Sequence, residues 1–390
     1  MRIGFDISQT GSSKAGCGYF AENLIRHLAA RDSANEYILY PAVGDVFWDP
    51  GCGGETFSCN LHNFRRLAAP RSFEASRAFW REPGPDFEAR LGDPDIVHIH
   101  NFYCPRGLRK ARLVYTLHDL SFIEHPEWTT EANRFGCWHN VFQASLRADL
   151  IVAVSEYTRL HFLETFPHYP SDRIVVVHEG SRFEGLSPAP HPARFGGIEP
   201  GRYWLSVGTV EPRKNYARLV EAYAAVDSRQ SARFPLVIAG GKGWLMDQFE
   251  RSLESAGLRD QVVLTGYVSD RELQWLYENC FAFLYPSLFE GFGLPIVEAM
   301  SLGAPVISSN RTSIPEVAGD AAVLVDPERT EEIAEAMQSL VDGRLNRKSL
   351  SERSRARASR FSWDSAALKT LSLYGELAGS RPNAAALTVA

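Results

Sequence analysis

Short apolar runs alternate along the first half of the chain with amphipathic stretches, and this alternation predicts strands followed by helices. Tyr19–Ala30 places apolar residues at helical spacing, and Ser155 is expected to cap the helix that follows it. The apolar runs are rich in β-branched residues and have the length of buried strands: Ile3–Ile7, Asp95–His100, Leu113–Leu117, Leu150–Val154 and Arg173–Val177. Strands and helices in this order are typical of a parallel sheet covered on both faces.

The second half repeats the pattern after a stretch of residues that break helices and strands. Leu186–Gly201 carries four Pro and three Gly in sixteen residues, which predicts an interdomain linker. The strands expected beyond it are Tyr203–Val207, Phe234–Ala239, Val262–Leu264, Ala282–Tyr285, Val306–Ser308 and Ala322–Val325. The expected helices are Ala217–Val226, Trp244–Ala256, Asp270–Glu278, Pro295–Leu302, Glu331–Val341 and Trp363–Leu377. We therefore predict two doubly wound α/β domains, 1–185 and 202–360, with a linker at 186–201, a C-terminal helix at 361–378 and a frayed tail at 379–390.

Composition narrows the class of protein. The 390 residues are 45% hydrophobic and 23% charged, which excludes a largely disordered, collagen-like or coiled-coil chain. Lys and Arg total 41 against 47 Asp and Glu, a net charge of -6, so we expect no nucleic-acid partner. The 6 cysteines form no CxxC pair, and free thiols in a reducing cytosol are expected. Neither a secretory signal nor a transmembrane helix is expected, which predicts a cytoplasmic protein.

The strongest chemical signal is the segment Glu290-Gly-Phe-Gly-Leu-Pro-Ile-Val-Glu298. It follows an expected strand and opens an expected helix at Pro295. Gly291 and Gly293 would leave backbone N–H groups bare at the helix N-terminus, where the helix dipole favours a phosphate. Glu290 would lie beside whatever this loop holds, and Glu298 is placed to accept two hydroxyls of a ribose or a sugar. A helix cap with an acidic first turn is the competing interpretation.

The second chemical signal is Leu205-Ser-Val-Gly-Thr-Val-Glu-Pro-Arg-Lys-Asn215, in which a strand ends at Gly208. Arg213 and Lys214 would lie in the next loop, at the carboxyl edge of the sheet where such folds bind ligands. Two adjacent cations suit a pyrophosphate, because Arg forks onto two oxygens and Lys acts as a point charge. A solvated turn with two basic residues is an equally good interpretation of this loop taken alone.

Together, FEGFGLPIVEA with its two glutamates, the GTVEPRKN loop and the segment VLTGYVSD resemble the retaining glycosyltransferases of family 4. The resemblance extends over nearly the whole chain, from FDISQTG to FSWDSAA, and is densest in the C-terminal half. It implies the GT-B architecture, in which two Rossmann-like, doubly wound parallel-sheet domains surround a central donor cleft. It also implies that the C-terminal helix packs back on the N-terminal, acceptor-side domain.

The resemblance implies a role for each residue that matches a family motif. Arg213 and Lys214 would clamp the donor diphosphate, Glu298 would bind the nucleotide ribose, and Glu290 would contact the transferred sugar as a catalytic residue. A loop and a turn of the second domain would present backbone groups to the donor: Phe292, Gly293 and Leu294 to the sugar and phosphate, and Tyr267 and Val268 to the base.

In the first domain, His118 in Tyr-Thr-Leu-His-Asp matches the family's cleft histidine and would be the second catalytic residue. Gly16 and Gly18 match the glycine loop that approaches the diphosphate and the acceptor. Without the family, His118 beside Asp119 would be better explained as a structural histidine. Gly16 and Gly18 alone are an incomplete GxGxxG pattern, because residue 21 is Ala.

Two further features bear on metals and membranes. His98 and His100 share a face of one strand, but no set of carboxylates and histidines completes a site, so we expect no metal and favour a strand edge over the cleft. Residues 63–81 interleave arginines with aromatic residues, a mixture that can lie on an anionic membrane surface. A mobile acceptor-side loop with solvated arginines is the favoured alternative for this segment. The arginines of Arg344–Arg360 are expected on a solvated helix.

These features predict a retaining, metal-independent hexosyltransferase that uses a nucleotide diphosphate sugar as co-substrate and no other cofactor. Around Ser309–Glu316 the chain resembles mannosyltransferases of bacterial surface-polysaccharide assembly, which favours GDP-mannose as the donor. A UDP-sugar of glucose, galactose or GlcNAc remains an alternative. The expected acceptor is a glycan or a lipid-linked glycan. The rival functions are a nucleotide-sugar epimerase, which needs no acceptor, and a non-catalytic nucleotide-sugar-binding protein.

Overall fold

The computed structural model describes residues 1–11, 14–44, 56–68, 72–226, 234–243 and 246–379. The chain divides into two compact domains. The first comprises Met1–Glu179 together with the C-terminal segment that begins at Trp363, and the second comprises Gly180–Ser362. The chain thus first passes between domains at Glu179, ahead of the expected linker at 186–201.

A seven-stranded parallel sheet forms the first domain, with the strand order β3-β2-β1-β4-β5-β6-β7. Its strands are β1 (Arg2–Asp6), β2 (Glu36–Tyr40), β3 (Phe64–Arg66), β4 (Ile96–Ile99), β5 (Arg112–Leu117), β6 (Leu150–Ala153) and β7 (Ile174–Val176). Its helices are α1 (Gly16–Arg31), α2 (Phe73–Arg81), α3 (Phe87–Arg90), α4 (Ser121–Glu124), α5 (Glu131–Arg147) and α6 (Glu156–Thr165), and the C-terminal helix is Trp363–Gly379. Ser155 caps α6 as expected, since its hydroxyl accepts a hydrogen bond from the amide of Thr158.

A six-stranded parallel sheet forms the second domain, with the strand order β10-β9-β8-β11-β12-β13. Its strands are β8 (Trp204–Val207), β9 (Leu236–Ala239), β10 (Val262–Gly266), β11 (Ala282–Tyr285), β12 (Val306–Ser309) and β13 (Val323–Val325). Its helices are α7 (Tyr216–Ala225), α8 (Asp247–Ala256), α9 (Asp270–Asn279), α10 (Leu294–Ser301), α11 (Ile314–Ala318), α12 (Thr330–Val341) and α13 (Arg347–Ala358). The C-terminal helix is therefore α14. The expected start of α8 at Trp244 lies outside the described residues.

Both sheets are doubly wound, as predicted. Strand order reverses between β1 and β4 in the first sheet and between β8 and β11 in the second. Ligands of such sheets bind where the order reverses, beyond the carboxyl ends of the strands. In the second domain, the loops that leave this point are those that follow Val207 and Tyr285, and they carry the predicted diphosphate and sugar residues.

The burial of the strands in the hydrophobic cores explains why most of them could be predicted from the sequence. Residues of β4, β5 and β6 are buried throughout, and so are those of β8, β9 and β11. A strand buried on both faces has no polar positions to alternate with apolar ones, so it reads as an unbroken apolar run. Three cysteines also belong to the buried interior: Cys104, Cys137 and Cys280. Cys17 and Cys59 are likewise free thiols, whereas Cys52 lies outside the described residues.

Phe64 and Trp80, two aromatic residues of segment 63–81, are core residues. Phe64 stacks on Tyr37 with ring centroids 4.5 Å apart, and the Trp80 indole donates a hydrogen bond to the carbonyl of Ala42. Trp80 is only 1% exposed. The interleaved pattern arises because β3 buries Phe64 and α2 buries Trp80, while Arg65, Arg66, Arg77 and Arg81 are exposed. Phe64 and Trp80 are therefore too buried to contact a membrane. Pro70 and Arg71 lie outside the described residues.

The Pro-rich segment 186–201 packs against the second domain. The carbonyls of Ser187 and Pro188 accept hydrogen bonds from Arg271, and the amide of Ala189 donates to the carboxylate of Glu278. Arg271 and Glu278 both lie on α9. The segment is therefore fixed along one helix of its own domain.

Helix α14 completes the first domain by packing on α1. Asp364 pairs with His27 (2.8 Å) and with Arg31, and the rings of Trp363 and Phe20 meet edge to face with centroids 5.6 Å apart. No helix in the described ranges is both long and apolar enough to cross a membrane.

Candidate active site

One asparagine fixes the loop that carries the two predicted cations. Arg213 and Lys214 end a 3-10 turn between β8 and α7, and Asn215 follows in the left-handed conformation with φ of 61°. The Asn215 side-chain amide donates to the carbonyls of Pro286 (3.0 Å) and Pro327 (2.6 Å). Asn tolerates this backbone conformation better than most residues. Because Pro286 and Pro327 follow β11 and β13, the loop is held against the carboxyl edge of the sheet.

The carboxylate of Glu290 is buried among hydrogen-bond donors. Its Oε2 accepts from Arg213 Nη1 (2.8 Å), and its Oε1 accepts from Lys214 Nζ (2.7 Å), Tyr285 Oη (2.8 Å) and Ser287 Oγ (2.6 Å). Burial alone would raise the pKa of Glu290, but the charges of Arg213 and Lys214 outweigh it and lower the pKa to about 2. Glu290 is therefore ionised at neutral pH, and its charge holds both cations in place.

The charges of this group balance within the protein. Arg213 also pairs with Glu211 through Nη2 at 2.8 Å, so two cations face two carboxylates. We call Glu211, Arg213, Lys214 and Glu290 the clamp cluster. Burial lowers the pKa of Lys214, although Glu290 opposes this shift. The Arg213 side chain is 22% exposed and that of Lys214 is 10% exposed, so Arg213 is the more accessible cation.

The glycine loop, Glu290–Leu294, is held by two hydroxyls of the neighbouring loop after β12. Thr312 Oγ1 accepts from the amide of Glu290 at 3.0 Å. Ser313 Oγ lies 2.8 Å from the Glu290 carbonyl and 3.0 Å from that of Phe292, both of which are acceptors. Gly293 caps α10 with φ of 99°, a backbone conformation that favours glycine. The loop thus reaches the N-terminus of α10 in a fixed shape, with the Phe292 ring buried against Phe361.

Glu298 lies in α10 and is almost fully buried, with 2% of its side chain exposed. Its Oε2 accepts from Tyr277 Oη (3.2 Å), and its Oε1 lies 3.0 Å from Arg182 Nε. Burial raises the pKa of Glu298, and the charge of Arg182 opposes that shift. The predicted base-contacting turn lies after β10, where Tyr267 is half exposed and Val268 is buried. The Tyr267 carbonyl accepts from Arg194 Nη2 at 3.3 Å.

In the first domain, the hydrogen bonding of His118 defines its tautomer. Its Nε2 lies 2.9 Å from the carbonyl oxygen of His100, which can only accept, so Nε2 carries the proton. Burial lowers the pKa of His118, which keeps the ring neutral at pH 7. Phe20 meets the ring edge to face with centroids 5.1 Å apart. The Nδ1 atom is therefore left with a lone pair that can accept a hydrogen bond from a hydroxyl.

The two glycines in the first turn of α1 differ in what surrounds them. A Cβ on Gly18 would lie 2.1 Å from the carbonyl oxygen of Gln9, so a larger residue would displace the preceding loop. Among the residues that the structure describes, a Cβ on Gly16 would meet no atom within 4 Å. Packing therefore requires glycine at position 18 but not at position 16.

His98 and His100 serve the core of the first domain. His98 bonds Tyr374 Oη through Nδ1 (2.6 Å) and Thr116 Oγ1 through Nε2 (2.9 Å), and His100 Nδ1 bonds the same hydroxyl at 3.0 Å. Burial lowers the pKa of both rings. Within the described parts of the chain, no group of three His, Cys, Asp or Glu residues is arranged to hold a metal ion.

The structure thus brings Arg213, Lys214 and Glu290 into direct contact and places Glu298 on the helix that the glycine loop opens. Several residues of this arrangement were assigned no role from the sequence: Arg182, Glu211, Asn215, Tyr277, Tyr285, Ser287, Thr312 and Ser313. Some, such as Arg182 and Asn215, act through partners that are distant along the chain, whereas Glu211 and Ser287 act through partners within three residues. The one available hint was the run of hydroxyls and prolines around the loops, which is common in turns.

Comparisons with known proteins agree with this geometry. Residues 15–181 match the model of the family described as Glycosyltransferase Family 4, and residues 193–357 match the model of Glycosyl transferases group 1. The chain is 33% identical over 385 residues to O-antigen chain mannosyltransferase B of Escherichia coli, covering 96% of this chain and 99% of that protein. It is 30% identical over 292 residues to the serotype-specific mannosyltransferase WbdA of Escherichia coli, covering 69% of this chain but 35% of the longer relative.

Solved structures of the same architecture are also similar. Sucrose-phosphate synthase from Thermosynechococcus elongatus has a TM-score of 0.75 at 19% identity, with 97% of this chain and 99% of that one covered. HepE of Anabaena, solved in complex with UDP and glucose, has a TM-score of 0.72 at 16% identity, covering 96% and 100%. The fold and the site define a glycosyltransferase of the GT-B class. More narrowly, the chain belongs to glycosyltransferase family 4.

Proposed function

We propose that this protein is a retaining mannosyltransferase that transfers mannose from GDP-mannose to a growing glycan or a lipid-linked acceptor during assembly of a bacterial surface polysaccharide. The observation that carries the proposal is the 33% identity to an O-antigen chain mannosyltransferase over nearly the full length of both chains. The clamp cluster and the glycine loop supply the chemistry that such a reaction needs.

The diphosphate would bind where Arg213 and Lys214 meet the glycine loop. As the bond between the anomeric carbon and the phosphate oxygen breaks, negative charge grows on the leaving diphosphate. Fixed cations and backbone N–H groups stabilise that charge without rearranging, which is the main requirement of this step. The cations of the clamp cluster would perform this role without a divalent metal, and activity that survives EDTA would support it.

The acceptor oxygen would attack the anomeric carbon from the face that the diphosphate leaves. A bond forms between the anomeric carbon and the acceptor oxygen as the bond between the anomeric carbon and the phosphate oxygen breaks. The leaving phosphate takes the proton of the acceptor hydroxyl. Glu290 would position the cations and contact the sugar rather than form a covalent adduct, because both of its oxygens already accept hydrogen bonds. Proton NMR of the initial product would show retention as an α-linked mannoside from the α-linked donor, while a trapped glycosyl–enzyme adduct would contradict this pathway.

His118 would contribute from the first domain. With its proton held at Nε2, the ring presents Nδ1 as an acceptor for a hydroxyl of the transferred sugar. His118→Phe keeps a planar ring but removes this acceptor. We expect the variant to lose transfer about 100-fold while retaining nucleotide binding, since the nucleotide-binding residues lie in the second domain.

A thermal-shift series tests the donor directly. GDP, GDP-mannose, UDP and UDP-sugars of glucose, galactose and GlcNAc are compared at equal concentration. A ligand present at about 100 times its Kd stabilises the folded state by about 2.7 kcal/mol, so the true donor should raise the Tm most. Stabilisation by UDP-sugars and not by GDP-mannose would contradict the mannosyl proposal, and HepE's complex with UDP and glucose makes that outcome worth testing.

Activity distinguishes the rival functions once the donor is known. Transfer of radiolabelled sugar to lipid-linked glycan extracts is expected only with both donor and acceptor. Consumption of the donor without an acceptor would point to an epimerase or hydrolase. Binding without any turnover would point to a non-catalytic nucleotide-sugar-binding protein.

The proposal includes a cytoplasmic location and a peripheral contact with the membrane that carries a lipid-linked acceptor. In the described part of segment 63–81, the exposed arginines Arg65, Arg66, Arg77 and Arg81 would make that contact. Such binding would depend on anionic lipid and weaken with salt. Co-sedimentation with vesicles of phosphatidylglycerol, compared with phosphatidylcholine alone, tests it.

A further inference from the structure

Arg182 occupies the ribose side of the proposed donor site, in the segment that enters the second domain. Its side chain is 9% exposed. The guanidinium pairs with Glu298 through Nε (3.0 Å) and with Asp270 through Nη1 (3.1 Å), and it lies over the ring of Phe183 at 5.0 Å. One buried cation therefore connects the carboxylate expected to bind the ribose with the first residue of α9.

The position of Asp270 shows which elements the pairing of Arg182 with Glu298 and Asp270 connects. Asp270 begins α9 only two residues after Val268, in the turn expected to face the base. Glu298 lies on α10, the helix opened by the glycine loop. Arg182 thus ties together two separate elements that are each expected to contact the nucleoside, and it reaches both from residues next to the expected linker.

The acceptor capacity of Glu298 allows such a tie without blocking the ribose. An ionised carboxylate has two oxygens and about four lone-pair directions. Tyr277 Oη uses one direction on Oε2, and Arg182 faces Oε1. The remaining directions can accept the two hydroxyls of a ribose. A buried carboxylate without a cation would favour its neutral form, which cannot accept in this way.

We propose that Arg182 is a positioning residue that holds the carboxylate of Glu298 in the orientation in which it accepts the ribose diol of the donor nucleotide. This inference rests on the proposed role of Glu298 as the ribose acceptor. Arg182 acts through Glu298 and need not touch the donor.

The test compares ribonucleotides with their deoxy analogues. Isothermal titration calorimetry would measure Kd for GDP, 2′-deoxy-GDP and 3′-deoxy-GDP, with the matching UDP set in parallel. For the wild-type protein we expect each missing hydroxyl to weaken binding about tenfold, as befits hydrogen bonds to a charged group. Arg182→Met should bind the ribonucleotide more weakly. It should also reduce the ratio of the Kd for a deoxy analogue to the Kd for the ribonucleotide to about threefold or less, while Arg182→Lys should give an intermediate ratio.

Matched variants distinguish a positioning role of Arg182 from a role in folding stability alone. Arg202→Met removes an exposed arginine that pairs with Glu199 and should leave the ratio unchanged. Asp270→Asn removes the other half of the bridge at an exposed carboxylate and should reduce the ratio less than Arg182→Met does.

The possible failures are distinguishable. If the wild-type protein binds neither GDP nor UDP, the proposed function fails, and this inference fails with it. If nucleotides bind but Glu298→Gln keeps the full preference for ribose, Glu298 is not the acceptor, and the role of Arg182 is overturned while nucleotide binding stands. If Arg182→Met lowers only the Tm and leaves the ratio intact, Arg182 is structural. If Arg182→Met does not fold, Arg182→Lys and Asp270→Asn decide the matter by the same ratio.

Discussion

At the scale of single residues, Glu290 performs a task that its motif does not reveal. Its carboxylate receives hydrogen bonds from both predicted cations, and the clamp cluster as a whole carries no net charge. A diphosphate at the proposed site would therefore compete with Glu290 for Arg213 and Lys214. The carboxylates of the clamp cluster would limit how tightly such an anion is held.

The first prediction concerns this competition. Glu290→Gln removes one negative charge and leaves the cluster with a net positive charge. We expect the variant to bind the free nucleoside diphosphate several-fold more tightly, because less anionic competition remains. Transfer should fall about 100-fold, because the cations lose their fixed positions. Calorimetry and steady-state kinetics measure the two effects, and Glu352→Gln on the exposed face of α13 is the control. Unchanged transfer in Glu290→Gln would contradict the role assigned to this carboxylate.

The second prediction concerns pH and stability. The pKa of Glu290 is lowered to about 2 in the folded protein from 4.5, so its stabilising contribution is complete above pH 4.5 and is lost as the pH falls towards 2. The shift corresponds to about 3 kcal/mol. Urea unfolding of the second domain should show wild type well ahead of Glu290→Gln at pH 6, with the gap closing between pH 4.5 and 2. A gap that does not change with pH would mean that the ionised carboxylate is not what stabilises the cluster.

At the scale of elements, the loops after β11 and β12 depend on each other. Thr312 adopts a left-handed backbone conformation with φ of 56°, which is costly for a β-branched residue. The Thr312 hydroxyl accepts a hydrogen bond from the amide of Glu290. The hydroxyl of the next residue, Ser313, donates to two carbonyls of the glycine loop. The strained residue Thr312 thus lies where its hydroxyl and its neighbour hold the glycine loop.

A matched pair of substitutions separates the strain from the hydrogen bond. Thr312→Ala keeps the strain and loses the acceptor, whereas Thr312→Gly loses both. We expect both variants to transfer sugar about tenfold more slowly, because the glycine loop is no longer fixed. Thr312→Gly should be about 1 kcal/mol more stable than Thr312→Ala, because glycine adopts this conformation without a Cβ clash. Equal stability of the two, measured by chemical denaturation, would show that Thr312 is not strained.

Most strands that the sequence predicted are almost fully buried. Parallel strands such as Leu150–Ala153 read as apolar runs, and the motif residues Arg213, Lys214 and Glu290 do meet in space. The strand Glu36–Tyr40 was not predicted, because a charged residue opens its short apolar run. The arginines of α13 were expected in solvent, but Arg353 and Arg357 donate to the carbonyls of Asp320 and Val317. Pairings of this kind depend on distant backbone groups, which local patterns do not encode.

At the scale of the whole molecule, each domain is built from a different arrangement of the chain. The second domain is one continuous segment, whereas the first needs residues from both ends of the sequence. Tyr374 of α14 is fully buried in the first domain, where its hydroxyl bonds His98 Nδ1 at 2.6 Å. The C-terminal helix is therefore a core element of the N-terminal domain.

Tyr374→Phe tests this by removing one hydroxyl. The buried His98 nitrogen loses its partner, and we expect the first domain to lose about 1 to 3 kcal/mol. Nucleotide binding should be unchanged, because the residues proposed to bind the nucleotide lie in the second domain. Differential scanning calorimetry with and without nucleotide separates the two transitions, since only the second domain should respond to the ligand. Ser372→Ala, on the exposed side of the same helix, should alter neither transition, and a shift confined to the second domain would contradict this assignment.

The return of α14 has a consequence for how the protein is made. A ribosome releases residues 1–179 long before Trp363–Gly379 has been synthesised, so the nascent first domain lacks the partners of Phe20 and His98. The second domain, being continuous, can close as soon as its last strand and helices emerge. The order of completion is then the reverse of the order of synthesis. The N-terminal half finishes last, and during translation its unfilled core is the part of the molecule most in need of a chaperone.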